Sequence, residues 1–345
     1  MRKWMLPLAA LGLLVLAGLM AERIGPARGE RGSAPGGPAP EVTYPRDRPR
    51  LRPVRPPSAA AAPRSSAAPE RSARPLDRFE RAIGGGDSMV VAEVNALRHS
   101  PLAEALLRCR GPEIDEARAE LKTETGLDLF EDVDRVMASE GNIVVSGNFA
   151  DLALPEDLDA TPYGDEARIF RSQGTDEEEG RFALVGDDLL ILGPDPESVQ
   201  SAVDRVEGRS PAHLPDAILE GGAEIFGPLD GSLLQQLLKD SPLADRAEDL
   251  SGASFRALVD DHVAVSLDLE AESSAAAAEL QGLIQGGLSA LRIEAATRGD
   301  NRWVELLRAS RVDLEGSGLA LDLPVPGPLI LDFMGCDAEG RPKAE

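Results

Sequence analysis

Few side chains in this sequence are placed to do chemistry. The reactive inventory is two cysteines, three histidines and a surplus of carboxylates. Cys109 and Cys336 are the two thiols. In an exported protein such a pair forms a disulfide, whereas in a reducing compartment the same residues read as half-buried free thiols. Sequence alone gives no distance between them, so both readings stand. His99 opens a predicted helix, His213 lies between Pro211 and Pro215, and His262 opens a predicted strand. None has the close spacing of a metal-binding helix, and there is no HExxH or CxxC. Neither a zinc site nor a Cys109–His nucleophile pair is expected. Convergence of Asp260, Asp261 and His262 in one deep cleft would be the mark of an enzyme.

The carboxylates cluster twice. Asp128, Asp132 and Asp134 surround Phe130, and paired carboxylates are the residue type for acid–base or metal-assisted hydrolysis. Helix capping and solubility explain them more simply. Asp176-Glu177-Glu178-Glu179 ends at Gly180 without the spacing of an EF-hand, and reads as a solvated hairpin loop. The glycine groups Gly84-Gly85-Gly86 and Gly221-Gly222 lack the Lys-Ser/Thr of a phosphate loop, and the first reads as a hinge. No serine stands in a GxSxG turn. The inventory implies no catalytic residue, no metal and no cofactor.

The elements that would carry these residues fall into three parts. Met1–Ala21 has Arg2 and Lys3 followed by 18 uncharged residues rich in Leu, Ala, Val and Gly. That length just reaches the roughly 20 residues needed to span a bilayer. Cleavage after Ala21 would place Leu19 at −3, and cleavage after Ala17 would place Val15 there, so neither site suits a signal peptidase. Leu16-Ala17-Gly18 begins like a lipoprotein box, but Leu19 stands where Cys is required. An uncleaved signal anchor is preferred to a cleaved signal peptide. Arg2 and Lys3 hold the N-terminus inside, while Arg23, Arg28 and Arg31 pull the other way. The preferred topology places the C-terminal domain outside the cytoplasm.

Residues 22–77 hold eleven Arg against six acids, a Pro-Pro pair, the run Ala59–Ala62 and hardly a large apolar side chain. The composition predicts a disordered, partly polyproline-II arm with no core of its own. As a coil it would span roughly 40 Å, and fully extended about 170 Å. With the net charge at −24, the region after residue 77 carries about 31 excess negative charges. That field repels nucleic acid and anionic lipid headgroups. Aromatics are 3% of the chain, so the core must be aliphatic and offers little surface for stacking on bases or sugars.

Within residues 78–345 the pattern alternates strands and helices. Strands are predicted at 88–96, 141–149, 166–171, 181–185 and 189–192, with Asp187-Asp188 as a hairpin turn. Ser100-Pro101 marks a helix start running to about Arg110, a second helix covers 113–125 and stops at Gly126, and another covers 196–206. The region 270–291 has Leu280, Leu283, Ile284, Leu288 and Leu291 at helical spacing without a basic face, which reads as a core helix rather than a membrane-surface one.

A second pass resembles the first. Leu97–Ala103 (LRHSPLA) matches Leu238–Ala244 (LKDSPLA), a strong strand follows each (142–149 and 262–269), and Arg181–Gly193 echoes Arg311–Leu323 as strand, turn and strand. The expected fold is α+β: two similar lobes of antiparallel sheet with helices packed on one face, residues 78–209 and 210–345. They stand behind an N-terminal transmembrane helix (1–21) and a disordered linker (22–77).

The segments Ser100–Leu102, Gly126–Val136, Val144–Phe149 and Ala183–Gly193 resemble uncharacterised exported proteins of myxobacteria and related bacteria. They are more distantly similar to bacterial envelope proteins with duplicated α+β lobes. The resemblance implies an exported, non-enzymatic protein and supplies no active site. The expected function is a membrane-anchored envelope protein presenting an acidic ligand- or protein-binding domain outside the cytoplasm. Its expected partners are the membrane, through the N-terminal helix, and an envelope protein, with no nucleic acid. The alternative is an exported metal-assisted hydrolase acting through Asp132 and Asp134.

Overall fold

The computed structural model describes Tyr44, Pro45 and residues 76–342, apart from 84–87, 129, 140–141, 155–157, 172–180, 213, 215–222, 232–233, 236–243, 300 and 338–339. The expected anchor at Met1–Ala21 lies outside the described residues, as does most of the arm. Among the described residues no helix is long and apolar enough to cross a membrane.

The described chain mixes helices with antiparallel sheet. The first half contains β1 (Met89–Glu93), β2 (Val133–Ser139), β3 (Ile143–Gly147), β4 (Asp159–Tyr163), β5 (Ala167–Arg171), β6 (Arg181–Val185) and β7 (Leu189–Gly193). The second contains β8 (Ile225–Asp230), β9 (Leu250–Val259), β10 (His262–Ala271), β11 (Arg311–Glu315) and β12 (Gly318–Pro326). All pair antiparallel in one sheet of order β11-β12-β10-β9-β8-β1-β2-β3-β7-β6-β5-β4. Two separate sheets were expected, but β1 and β8 pair directly (Val91 opposite Phe226, Ala92 opposite Ile225). The join satisfies two strand edges that would otherwise leave backbone groups unpaired. Close approach there needs Gly227, where an added Cβ would stand 1.9 Å from the Met89 carbonyl oxygen. Ser88 Oγ accepts from the Asp230 N–H at 2.8 Å and extends the seam.

The order of strands repeats across this join. From the seam outward the first half reads β1-β2-β3-β7-β6 and the second reads β8-β9-β10-β12-β11. The halves differ in what lies between their third and fourth strands. In the first, the β4–β5 hairpin extends the sheet; in the second, α5 (Ser274–Arg298) and α6 (Asn301–Arg308) leave it and fold back. The remaining helices are α1 (Arg78–Ala82), α2 (Val94–Leu97), α3 (Pro101–Thr125), α4 (Pro196–Val206) and α7 (Gly327–Phe333).

Capping fixes the helix ends. Ser100 Oγ accepts from the Ala103 N–H at 3.1 Å, Pro101 takes the first helical position, and Gly126 closes α3 with φ 75°. Two helices were expected over 101–125; one is found, continuing through Gly111 and Pro112. Tertiary anchors at both ends outweigh the local break. Leu102, Ala105 and Cys109 are buried at one end, and the Gly126 cap meets Asp151 and Ala153 at the other.

The two main cores lie on opposite faces of the sheet. On the front face Met89, Val91, Met137, Val144, Ile191 and Ala183 lie under α1 and α4, through Phe79, Val199, Ala202 and Val203. On the back face of the second half, Phe255, Val265, Leu267, Leu321 and Val325 lie under α5, α6, α7 and the start of α3. Helices on one face of each half were expected; in the shared sheet the main helices of the two halves lie on opposite faces. Tyr44 is a core residue of the front face although its segment of the arm was expected to bury nothing. Its hydroxyl donates to the Ala309 carbonyl at 2.9 Å, and the Arg311 guanidinium lies 5.2 Å from its ring centre.

Candidate functional site

Cys109 and Cys336 are joined in a disulfide, with Cα atoms 5.9 Å apart. Both are buried. The bond ties α3, which leaves the first half, to the segment after α7 at the end of the second. The Leu102 N–H, donating to the Asp260 carbonyl at 3.0 Å, makes a second tie from α3 to the β9–β10 turn. In that turn His262 Nδ1 contacts the Asp261 carboxylate. His262 is nearly buried and Asp261 is exposed. The Asp260 N–H donates to the His262 carbonyl at 2.9 Å within the tight turn between the paired Val259 and Val263. His99 is exposed at the far side of the Ser100 cap, and His213 lies outside the described residues.

The first carboxylate cluster is engaged in structure. Arg118 on α3 donates twice to Asp128, at 2.7 and 2.6 Å, and Lys122 reaches the same carboxylate at 3.3 Å. The Arg118 hydrogen bonds hold the Asp128 carboxyl down at about 2, aided by the Phe130 N–H and Lys122 and opposed by burial. Asp132 accepts from the Asp128 N–H at 2.7 Å, and Asp134 projects to solvent from β2. This is a helix-end lock: its carboxylates do not face a shared reaction space. The acidic loop 176–179 and both glycine groups lie outside the described residues. Among the described residues no group of three or more His, Cys, Asp or Glu is arranged to hold a metal.

Glu93, at the end of β1, has its carboxyl raised mainly by burial. Arg135 lowers it, while Asp77, Glu80 and Asp134 push it up. Asp77 and Glu80 are already committed to the capping box of α1, and Arg135 spans to Asp77 at 2.9 Å while lying over the Phe79 ring. The group positions α1 against the sheet.

A different feature stands out: the back face of the first half. The strand registers place side chains in two cross-strand rows there, Val136–Val145–Leu190–Leu184 and Ala138–Ile143–Leu192–Phe182–Phe170. Phe170 and Phe182 stack with ring centres 4.8 Å apart. Of these nine apolar side chains, Leu184 and Phe170 are buried and the other seven are half-exposed. On the second half the matching residues Phe255, Leu267 and Leu321 are buried, while Val312 at the end of their row and Leu323 in the next are half-buried. Among the described residues the first-half rows meet the short α2 and the loop side chains Leu127, Phe149, Leu152, Leu154 and Leu158. Asp159, at the start of β4, stands on the opposite face in register with Arg171. The Arg168 guanidinium lies on the strip, 5.8 Å from the Phe170 ring centre. Sequence reading placed strands at β3, β5, β6 and β7 but not at β2, and which residues share a face of the sheet is a tertiary property.

No family model matches the chain, and no curated protein is similar to it. Among solved structures, crystal form III of TP0453 superposes with a TM-score of 0.48 at 11% identity, over 74% of this chain and 96% of that one. Crystal form I of TP0453 gives 0.43 at 13% identity, over 76% and 98%. Likenesses of that order say nothing about function.

Proposed function

We propose that this is a membrane-anchored cell-envelope protein that presents an acidic, protein-binding α+β domain outside the cytoplasm. The observation that carries the reading is the buried Cys109–Cys336 disulfide, because such bonds persist in oxidising compartments. The basic start and apolar run of Met1–Ala21 supply the export signal and the tether, and residues 22–77 supply the spacer. The repeated strand order supports descent from a duplicated α+β unit, as in the exported proteins the sequence resembles. Binding is favoured over hydrolysis because Asp128 and Asp132 are committed to the end of α3, while Ile143 and Leu192 on the back face of the first half stay half-exposed.

Protease treatment of intact spheroplasts tests the location. A full-length species digested from outside, with a disulfide detectable by thiol labelling before and after reduction, is the expected result. Protection of the domain until the membrane is lysed would place it in the cytoplasm and refute the reading.

A further inference from the structure

We infer that the front face of the second half is the docking site for a segment of the chain's own arm, the Arg- and Pro-rich residues 46–55. The residues leading into that segment are already seated there. Tyr44 and Pro45 are buried; the Tyr44 hydroxyl donates to the Ala309 carbonyl at 2.9 Å, and the Arg311 guanidinium lies over its ring. The helices that pack on β9–β12 do so on the back face, through Ala277, Leu280, Leu307 and Leu331. The front face of these strands is polar instead. The strand registers place three cross-strand rows on it: Arg311–Asp322–Ser266–Arg256, Asp313–Ala320–Asp268–Ser254 and Glu315–Gly318–Glu270–Gly252. Ser266 and Asp322 are buried within the first row, joined by a 2.6 Å hydrogen bond from the Ser266 hydroxyl. Helices on the back face do not supply that cover.

Charge and spacing select the occupant. The three rows carry the carboxylates of Asp268, Glu270, Asp313, Glu315 and Asp322 against two guanidiniums. Of those two, Arg256 is held by Asp268 at 2.9 Å and Arg311 lies over Tyr44. Glu270, Asp313 and Glu315 are exposed. Residues 46–55 (RDRPRLRPVR) hold five Arg and one Asp, the opposite balance. An extended chain turns residues i and i+2 to the same side, about 7 Å apart, which is also the separation of neighbouring rows on one face of a sheet. Arg46, Arg48, Arg50 and Arg52 keep this alternation. Pro45, Pro49 and Pro53 favour an extended backbone over a helical one. Starting from Tyr44 beside Arg311, such a segment meets the Asp322, Asp313 and Glu315 rows in turn. The chain from Arg55 to Leu76 can reach about 70 Å, ample to rejoin the first half at α1. In the envelope reading the free tether is then residues 22–43, a coil of roughly 26 Å in place of roughly 40 Å.

The test uses the full chain in zwitterionic detergent micelles, with trypsin cleavage followed by mass spectrometry. Trypsin can cut Arg50–Leu51 within the segment and Arg64–Ser65 beyond it, so the second bond is an internal reference. Arg50–Leu51 is expected to be cut at least tenfold more slowly in the parent than in Glu270→Gln/Asp313→Asn/Glu315→Gln, with Arg64–Ser65 cut equally in both. About 0.5 M salt should remove most of the difference. Tyr44→Ala should speed the Arg50–Leu51 cut as well. The face variant alters exposed side chains alone, so it decides the question even where Tyr44→Ala unfolds. A fluorescein-labelled peptide of residues 42–56, read by anisotropy, should bind Arg46→Gln/Arg48→Gln/Arg50→Gln/Arg52→Gln at least tenfold more tightly than the parent, whose own segment holds the site. Equal cleavage of Arg50–Leu51 in the parent and the face variant would overturn the proposal, as would equal peptide binding by the parent and the arginine variant. Protection that rises with protein concentration would give the face to a second copy's arm, and equal binding of a scrambled peptide would give it to polycations at large; either result also overturns it. None of these outcomes depends on where the domain resides, so they separate cleanly from the spheroplast result.

Discussion

Removing the Cys109–Cys336 bond is the perturbation whose size the structure sets most directly. The cysteines are 227 residues apart in sequence. Closing a loop of that length removes conformational entropy from the unfolded chain, worth about 5 kcal/mol in the chain-entropy account, with measured disulfides commonly delivering about 2–4 kcal/mol. The native side of the balance changes little in Cys109→Ala/Cys336→Ala, because both sites are already enclosed by apolar neighbours. Urea unfolding followed by far-UV circular dichroism, with and without a phosphine reductant, is the assay. The oxidised parent is expected to be more stable than both its reduced form and the double alanine variant by about 2–5 kcal/mol. The reductant should move the parent's midpoint and leave the variant's unmoved. The denaturant dependence should steepen once the bond is gone, because the uncrosslinked chain exposes more surface on unfolding. If complete reduction, verified by thiol titration, leaves the parent's midpoint unchanged, the assignment of a long-range stabilising tie between α3 and the C-terminal segment is refuted.

Three further outcomes follow from the packing. A carboxyl held below its ordinary value stabilises the fold above its unfolded pKa and loses that contribution as pH falls through its folded one. The parent should therefore lose about 2 kcal/mol between pH 4 and pH 2 that Asp128→Asn does not lose, read from unfolding midpoints across that window. Tyr44→Ala removes a buried ring, its hydrogen bond to Ala309 and its contact with Arg311, and is expected to cost about 3 kcal/mol in thermal or urea unfolding. Gly227→Ala drives a methyl against the Met89 carbonyl at the join between the halves; a loss above about 2 kcal/mol is expected, while Gly282→Ala, with open space at its Cβ on α5, should be neutral or slightly stabilising.

The elements most legible in the sequence were those whose local signals agree with their packing. Arg181–Val185 and Pro196–Val206 begin and end where their patterns and caps predict. The Ser100-Pro101 start is also where it was expected, with the hydroxyl in place as a cap. The strands β8 and β9 were not anticipated. Ile225–Asp230 carries Gly227 and Pro228 in its middle, and Leu250–Val259 opens with Ser and Gly, compositions that locally favour a turn. Neighbouring strands on both sides enforce their extended form. The same holds for β4, where Thr161-Pro162 reads as a loop until β5 pairs with it. The opposite placement of helices in the two halves has no local signature at all, since it depends on which face of a shared sheet each helix reaches. For the site, the acidic balance was visible from composition, and the disulfide stood as one of two open readings. The half-exposed strip required the registers of four strand pairs.

The fusion of the two halves through β1 and β8 also bears on self-association. Two separate sheets would present four open borders, each a template for intermolecular strand addition; one continuous sheet presents two. Those two are β4, which carries Pro162 and ends exposed at Asp159, and β11, where Arg311, Asp313 and Glu315 alternate along a strand of five residues. Proline removes a donor from one border and alternating charge makes the other a poor template for a neutral strand. A leucine- and valine-rich sheet can thus remain free of fibrillar stacking at high local density, with its growth in the hydrogen-bonding direction stopped at both of its described borders.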